Sequence, residues 1–310
     1  MIEDQRRTLR IAVPATSANL GAGFDVLGLA LDLHNLFTIT LAEETTLEIR
    51  GYADNLPADS SNLFCKAFNH LFKLAEREAP QLAIRMELFV PPGKGLGSSA
   101  TAVVGGLVAA NTCMGGPLSG PELLREAIKL EHGGHADNVA PALLGGLVVN
   151  ALDNGNVVSL RVPVPAEVKA VLFTPDFAMD TVQGRALMPE HYTRADTVFS
   201  TSRVALFLAA LAERRYSLLK IAMQDRLHQP YRAQIFPLLD GLIEAALNAG
   251  AHGACLSGGG SSVLALVTTG ADEVGAAMLK KAKAAGIMGD VRVLEIDRKG
   301  AQATWEEATA

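Results

Sequence analysis

Pro91-Pro92-Gly93-Lys94-Gly95-Leu96-Gly97-Ser98-Ser99-Ala100-Thr101 sets three glycines and two serines directly ahead of an alanine-rich segment. Gly93, Gly95 and Gly97 carry no Cβ and reach positive φ without strain, so the backbone can fold round an anion and turn its N–H groups toward it. Residues 99–110 contain no proline and are mostly small. They predict a helix despite Gly105 and Gly106. The first turn of such a helix has unpaired amides and the positive end of the helix dipole, which together favour phosphate. The hydroxyls of Ser98 and Ser99 are placed to cap the helix, hold a phosphate oxygen or meet a magnesium ion. Spacing excludes two familiar nucleotide loops. A Walker A loop needs Lys followed by Ser or Thr, and Lys94 is followed by Gly95. A dinucleotide fingerprint from Gly93 and Gly95 needs a third glycine where Ser98 stands.

The rest of the chain bounds what this cradle serves. At 310 residues, 49% of them hydrophobic, there is material for one large domain or two ordinary ones. A net charge of −6 argues against a nucleic-acid surface, so an anionic ligand must be held by local groups. Apolar stretches are broken before ~18 residues, and the start lacks the apolar core of a secretory signal. A cytoplasmic protein with no membrane partner is expected. Cys65, Cys113 and Cys255 are odd in number and far apart, with no metal-ligand spacing, and are expected to be buried and reduced.

Periodicity predicts strands at residues 9–13, 36–41 and 46–50, a helix over 62–75, and a strand over 82–90 that runs into the glycine loop. A helix over 121–131 stops at Gly133-Gly134, and a short strand follows near 146–150. Val162-Pro163-Val164-Pro165 marks the expected domain boundary. Beyond it the pattern gives strands at 168–174, 264–267 and 291–296, and helices at 196–212, 218–224, 235–249 and 271–285.

Two further segments concentrate polar groups at glycine turns. Pro14-Ala15-Thr16-Ser17-Ala18-Asn19-Leu20-Gly21-Ala22-Gly23-Phe24-Asp25 leaves a strand, and on spacing alone it reads as an Asx or ST turn. Gly253-Ala254-Cys255-Leu256-Ser257-Gly258-Gly259-Gly260-Ser261-Ser262 alone reads as a glycine-rich hairpin. Glu131 occupies the next position of the stripe formed by Leu124, Ala127 and Ile128, near a helix C-terminus where the dipole disfavours an acid. It either turns outward, pairs with a lysine, or has a cation for a partner. His135, Arg185 and Arg232 taken singly are ordinary polar residues, although guanidinium suits bidentate carboxylate recognition.

The run from Pro91 to Ala100 carries every fixed position of Pro-x-Gly-x-Gly-Leu-Gly-Ser-Ser-Ala, and so resembles the central motif of the GHMP kinases. The segment ending at Asp25 resembles the N-terminal signature of the homoserine kinase branch, and His135-Ala136-Asp137-Asn138-Val139-Ala140-Pro141 resembles that branch's His-x-Asp-Asn-Val-Ala-Pro element. The Gly253 segment looks like the third family signature, which buttresses the phosphate loop. The resemblance implies an α+β, two-domain GHMP-kinase fold: an N-terminal ribosomal-protein-S5-like α/β domain over 1–163 and a C-terminal ferredoxin-like α/β domain over 164–310. It implies ATP and Mg²⁺ as cofactors, L-homoserine as acceptor and a homodimer.

By the same resemblance, residues 91–101 bind the triphosphate, with Lys94 adding charge and Asn62 contacting adenine. Ser99 and Glu131 hold magnesium, with Ser98 the alternative ligand. Asn19 positions the hydroxyl end, Asp25 holds the substrate ammonium, and His135 and Asn138 face the substrate. Arg185 and Arg232 bind its carboxylate, and Gly184 in place of the usual Ala is expected to be harmless. A low-pKa carboxylate is a poor base for an alcohol, which also assigns Asp25 to binding. Another small-molecule kinase, for mevalonate or a sugar, is disfavoured by the paired arginines. A non-catalytic nucleotide-binding regulator is disfavoured by the serine pair with Glu131.

Overall fold

β1 (Arg7–Ala18) and β2 (Leu27–Leu41) form the spine of a seven-stranded sheet, in a computed structural model that describes residues 7–54, 56–131 and 133–307. Residues 1–6, where no signal pattern is read, lie outside the described residues. β3 (Thr46–Gly51), α1 (Leu63–Leu74) and β4 (Leu82–Leu88) make a crossover in which β3 lies parallel to β4. The far half of β2 pairs with β4, while Leu27–Leu29 pair with β5 after α2 (Ser98–Cys113), α3 (Gly120–Leu130) and α4 (Val139–Leu144). β5 (Leu147–Asp153) continues into β6 (Asn156–Val162). The register of β1 against β2 shifts between Pro14 and Ala15, as expected where proline supplies no ladder N–H.

The second sheet has the order β10, β7, β9, β8 and is antiparallel throughout. It begins with β7 (Lys169–Pro175), followed by helices α5 (Thr181–Ala186), α6 (Arg194–Ala212), α7 (Leu219–Ala222), α8 (Gln229–Arg232) and α9 (Leu239–Asn248). β8 (Gly253–Leu256), β9 (Val263–Val267), α10 (Ala271–Ala284) and β10 (Gly289–Glu295) complete it. β11 (Gln302–Glu307) then crosses back to pair with β1, setting Trp305 opposite Leu9. Residues 302–307 therefore complete the first sheet, which departs from a simple division at 163/164. Ala301, Ala303 and Trp305 pack on the first core and explain the return.

Several elements differ from the sequence pattern. β1 and β2 extend to Ala18 and back to Leu27, carrying the Asn19 segment to the end of the sheet. β6, β8, β11, α4, α5 and α8 are additional, and the helix expected from 235 begins at Leu239. α6 has the length and composition of a membrane-spanning helix, with a mean hydropathy of 1.3. It buries Ser200, Phe207, Ala210 and Leu211, the last three in the cluster shared by both sheets, while the rest of the helix is exposed or partly exposed. The three cysteines are free and buried, and burial pushes their thiols up to about 11 or 12.

Close packing fixes where α2 begins. A Cβ on Gly105 would lie 2.8 Å from the Phe37 ring, and one on Gly106 would collide with the Phe64 carbonyl. Each glycine costs a helix about 1 kcal/mol relative to alanine. Here it lets α2 settle against α1 and against the stacked rings of Phe37 and Phe64, 4.7 Å apart. A further cluster, including Leu20, Leu31, Leu96, Leu172, Phe207 and Leu264, joins the two sheets. The glycine loop is held at this junction.

Candidate active site

Gly93, Gly95 and Gly97 adopt φ of 70°, 74° and 67°, the left-handed conformation their sequence foretold, and Gly97 precedes the first turn of α2. The Gly258 loop supports them from the other sheet. Ser257 Oγ is hydrogen-bonded to the Gly95 carbonyl at 2.7 Å and to Ser17 Oγ at 2.8 Å, and the Ser262 N–H donates to the Lys94 carbonyl at 3.1 Å. All three sequence segments therefore meet within one network. Lys94 Nζ donates to the carbonyls of Pro175, at 2.7 Å, and Asp176, so its ammonium ties the loop to the end of β7. Pro91, Pro92 and Leu96 lead into and through the loop, Leu96 buried at its base, while Ala100 and Thr101 lie buried in the first turns of α2. Asn62 is the N-cap of α1. Its Oδ1 accepts from Phe64 N–H at 3.0 Å and its Nδ2 donates to the Pro57 carbonyl at 2.8 Å, so both ends of the amide are engaged locally.

Ser99 Oγ donates to Glu131 Oε1 at 2.7 Å across 32 residues. Glu131 is the C-cap of α3 in extended backbone, so the chain leaves the helix as its carboxylate reaches the first turn of α2. Lys129 instead pairs with buried Glu126, which also meets His70. A serine hydroxyl and a carboxylate beside a phosphate cradle form the all-oxygen donor set that a hard divalent cation such as magnesium favours. Of the serine pair, Ser99 is the one that meets the acid.

The Asn19 segment stores backbone strain. Asn19, Leu20 and Asp25 have φ of 72°, 49° and 58°, a region that residues with a Cβ occupy reluctantly. Asn19 holds the turn, its Nδ2 donating to the Gly258 carbonyl and its Oδ1 accepting the Asp25 N–H, both at 3.0 Å. Thr16 Oγ1 donates to Asn138 Oδ1 at 2.8 Å, directly behind Gly97. Asn138 thus reaches the loop from the start of α4.

Asp25 is the centre of a charge cluster. Arg185 embraces it in two hydrogen bonds of 2.7 and 3.1 Å, and His135 Nδ1 lies 3.4 Å from its Oδ2. Burial lowers the imidazole pKa of His135, and Arg185 adds to this against the pull of Asp25. Arg232 is 3% exposed yet, among the described residues, meets no carboxylate at hydrogen-bond distance. Its Nη1 donates to His228 Nδ1 at 2.7 Å and to the Gly258 carbonyl at 3.2 Å, while its buried Nε has no hydrogen-bond partner. Both guanidinium groups approach the Phe24 ring, that of Arg185 at 5.1 Å and that of Arg232 at 5.6 Å from its centroid. A Cβ on Gly184 would lie 3.4 Å from Arg232 Nε, an ordinary contact, so alanine fits there as expected.

Asp137 went unnoticed as a site residue in the sequence. Its carboxyl is 5% exposed, and burial, aided by the charges of Asp25 and Glu131 and opposed by Arg185, pushes its pKa up to about 7. The folded protein holds this proton to about pH 7, whereas the unfolded chain releases it near 3.8. Stability owed to the neutral acid is thus lost as pH rises between these values, on the order of 4 kcal/mol in all. Asp137→Asn is expected to raise the melting temperature of the unliganded protein at pH 8 by several degrees more than at pH 4.5. Denaturation scans at the two pH values check this. Thr16, Phe24, His228 and Ser257 are further residues that spacing did not single out. Only the i, i+4 placement of His228 and Arg232 hinted at a pair.

Comparison with known proteins shows the family and the fold. The model for the GHMP kinases N terminal domain matches residues 62–146, and that for GHMP kinases C terminal matches 207–284. The chain is 41% identical over 295 residues to a homoserine kinase of Desulfitobacterium hafniense, covering 94% of this chain and 99% of the relative. It is 42% identical over 298 residues to a homoserine kinase of Trichormus variabilis, covering 95% and 98%. The crystal structure of a homoserine kinase from Cytophaga hutchinsonii superposes with a TM-score of 0.88 at 31% identity, covering 98% of this chain and 99% of that one. A mevalonate kinase structure shares the fold, with a TM-score of 0.70 at 16% identity.

Proposed function

The chain belongs to the GHMP kinases, in their homoserine kinase branch, and we infer from its site how the reaction is carried out. It is an ATP-dependent kinase that phosphorylates the side-chain hydroxyl of L-homoserine, giving O-phospho-L-homoserine on the route to threonine. The observation that carries the substrate half is the charge arrangement around Phe24. A zwitterionic amino acid supplies an ammonium for Asp25 and a carboxylate for Arg185 and for Arg232, whose buried charge otherwise lacks an acid partner. A neutral polyol satisfies neither.

In this reading the amides of residues 93–99 and the start of α2 hold the triphosphate. Ser99 and Glu131 would hold Mg²⁺, which would supply positive charge to offset that of the phosphates. His135 and Asn138 border the substrate, and Asn19 shapes the turn that presents Asp25. Arg185 fixes both oxygens of Asp25, and each keeps a further lone pair that can accept from the ammonium. Phosphoryl transfer then rests on alignment and charge stabilisation. The same reading includes a cytoplasmic homodimer.

Arg232→Leu tests it. Losing charge-assisted hydrogen bonds to a buried carboxylate is expected to raise KM for homoserine about a hundredfold, with KM for ATP changed less than about threefold. Steady-state kinetics with each substrate varied in turn gives both values, and equal effects would refute the role.

A further inference from the structure

His228 is fully buried and no step described so far uses it. Its ring stacks on Phe24 with centroids 5.2 Å apart. Its Nε2 donates to the Gly21 carbonyl at 2.9 Å, which leaves Nδ1 as the acceptor of the Arg232 Nη1 hydrogen bond at 2.7 Å. This tautomer requires a neutral ring, and burial lowers the imidazole pKa, with Arg232 adding to the effect and Asp225 opposing it. Asp225 anchors the turn from behind by accepting the N–H groups of Leu227, His228 and Gln229 at 2.7 to 2.8 Å.

The imidazole therefore links two parts of the substrate site that lie 207 residues apart in sequence. One end grips the strained turn that presents Asp25, the proposed ammonium partner. The other end fixes Arg232, the proposed carboxylate partner. Arg232 Nη1 reaches the Gly258 carbonyl, which also receives Asn19 Nδ2, so these bonds tie His228, Arg232, Gly258 and the Asn19–Gly21 turn into one closed network. One face of Arg232 is occupied by these contacts, while Nε is left without a partner. An arginine has five N–H donors in a rigid fork, so orienting one edge fixes the direction of the rest.

We propose that His228 is a positioning residue that aims Arg232 at the acceptor's carboxylate and thereby sets the enzyme's preference for an amino-acid acceptor. This rests on the reading of Arg232 given above. A residue of this kind acts on discrimination more than on turnover.

The test compares homoserine with the amino diol in which its carboxylate is reduced to an alcohol, by ADP release. The native enzyme is expected to favour homoserine strongly in kcat/KM. His228→Leu should shrink that preference about tenfold or more while leaving KM for ATP within about twofold. His228→Asn, whose side-chain oxygen can take the place of Nδ1, should recover most of it. His228→Ser is too short to reach the guanidinium and reads the same loss if the leucine variant does not fold. An unchanged preference, or equal losses with both acceptors, would overturn the proposal. Arg232→Leu in the same assay separates the two levels. If it also leaves the preference intact, the carboxylate reading itself fails; if it abolishes the preference while His228→Leu does not, only the role of His228 fails.

Discussion

Replacing Glu131 by Gln is expected to lower kcat by about a hundred- to a thousandfold, the scale on which enzymes lose a group that stabilises transition-state charge. The substitution preserves size and leaves an oxygen for the Ser99 hydroxyl, 2.7 Å away, so the fold has no reason to change. What disappears is the negative charge that, in the proposed reading, would draw a divalent cation to this corner of the glycine loop. The magnesium concentration for half-maximal rate should rise at least about tenfold, since a hard cation depends strongly on ligand charge. Glu126→Gln is the internal comparison. Glu126 is a buried acid on the same helix, bonded to His70 and Lys129 rather than to the loop. Its loss is expected to reduce stability by about 1–3 kcal/mol, as for a buried partner left unpaired, with the magnesium dependence unchanged. Initial rates over a magnesium titration and a denaturation curve for each variant separate the two outcomes. Equal magnesium dependence in both would remove Glu131 from the metal site.

Gly95→Ala is the second substitution with a large expected effect. Gly95 has φ of 74°, and a Cβ there would collide with the Ser257 carbonyl and lie 2.7 Å from the Gly260 nitrogen. Both neighbours are backbone atoms of the supporting loop and neither can rotate away. The new methyl group must therefore part the two loops, moving the amides proposed to hold the triphosphate. Misplacement of this kind costs about a hundredfold, and kcat/KM for ATP should fall by that much or more. Gly93→Ala supplies the control for conformational strain alone, which is about 1–2 kcal/mol for a left-handed residue. Its φ of 70° is nearly the same, yet its Cβ would meet only the Ala178 methyl group, at 3.0 Å. The alanine at 93 should lower stability by a comparable strain term while costing much less activity than the alanine at 95. Kinetics with ATP varied, together with thermal melts, provides the comparison.

The loops proposed to carry the chemistry were legible in the sequence because their signals are local. Three glycines at alternate positions allow positive φ without strain wherever the chain later travels, and Ser98-Ser99 followed by alanines starts a helix from its own propensities. The acid at Glu131 stood out because it broke an apolar stripe. What escaped was set by distant partners. β11 is a six-residue strand, mostly exposed, whose reason for existing is an edge of β1 some 290 residues earlier. β8 lies inside a glycine-rich run that reads as a turn until β9 is there to pair with it. The polar residues followed the same rule. Asn62 and Asn19 looked like ligand groups, yet both ends of each amide are engaged by neighbouring protein groups. Asp137 and His228 drew no attention because only burial among charges from other segments gives them unusual proton affinities.

The direct measurement of the central claim is ADP release by the purified protein, supplied with ATP and magnesium, over homoserine, mevalonate, galactose and shikimate. Phosphorylation of homoserine on its side-chain oxygen, with the other acceptors at background, is the predicted result. Background activity with homoserine alongside clear turnover of another acceptor would contradict it.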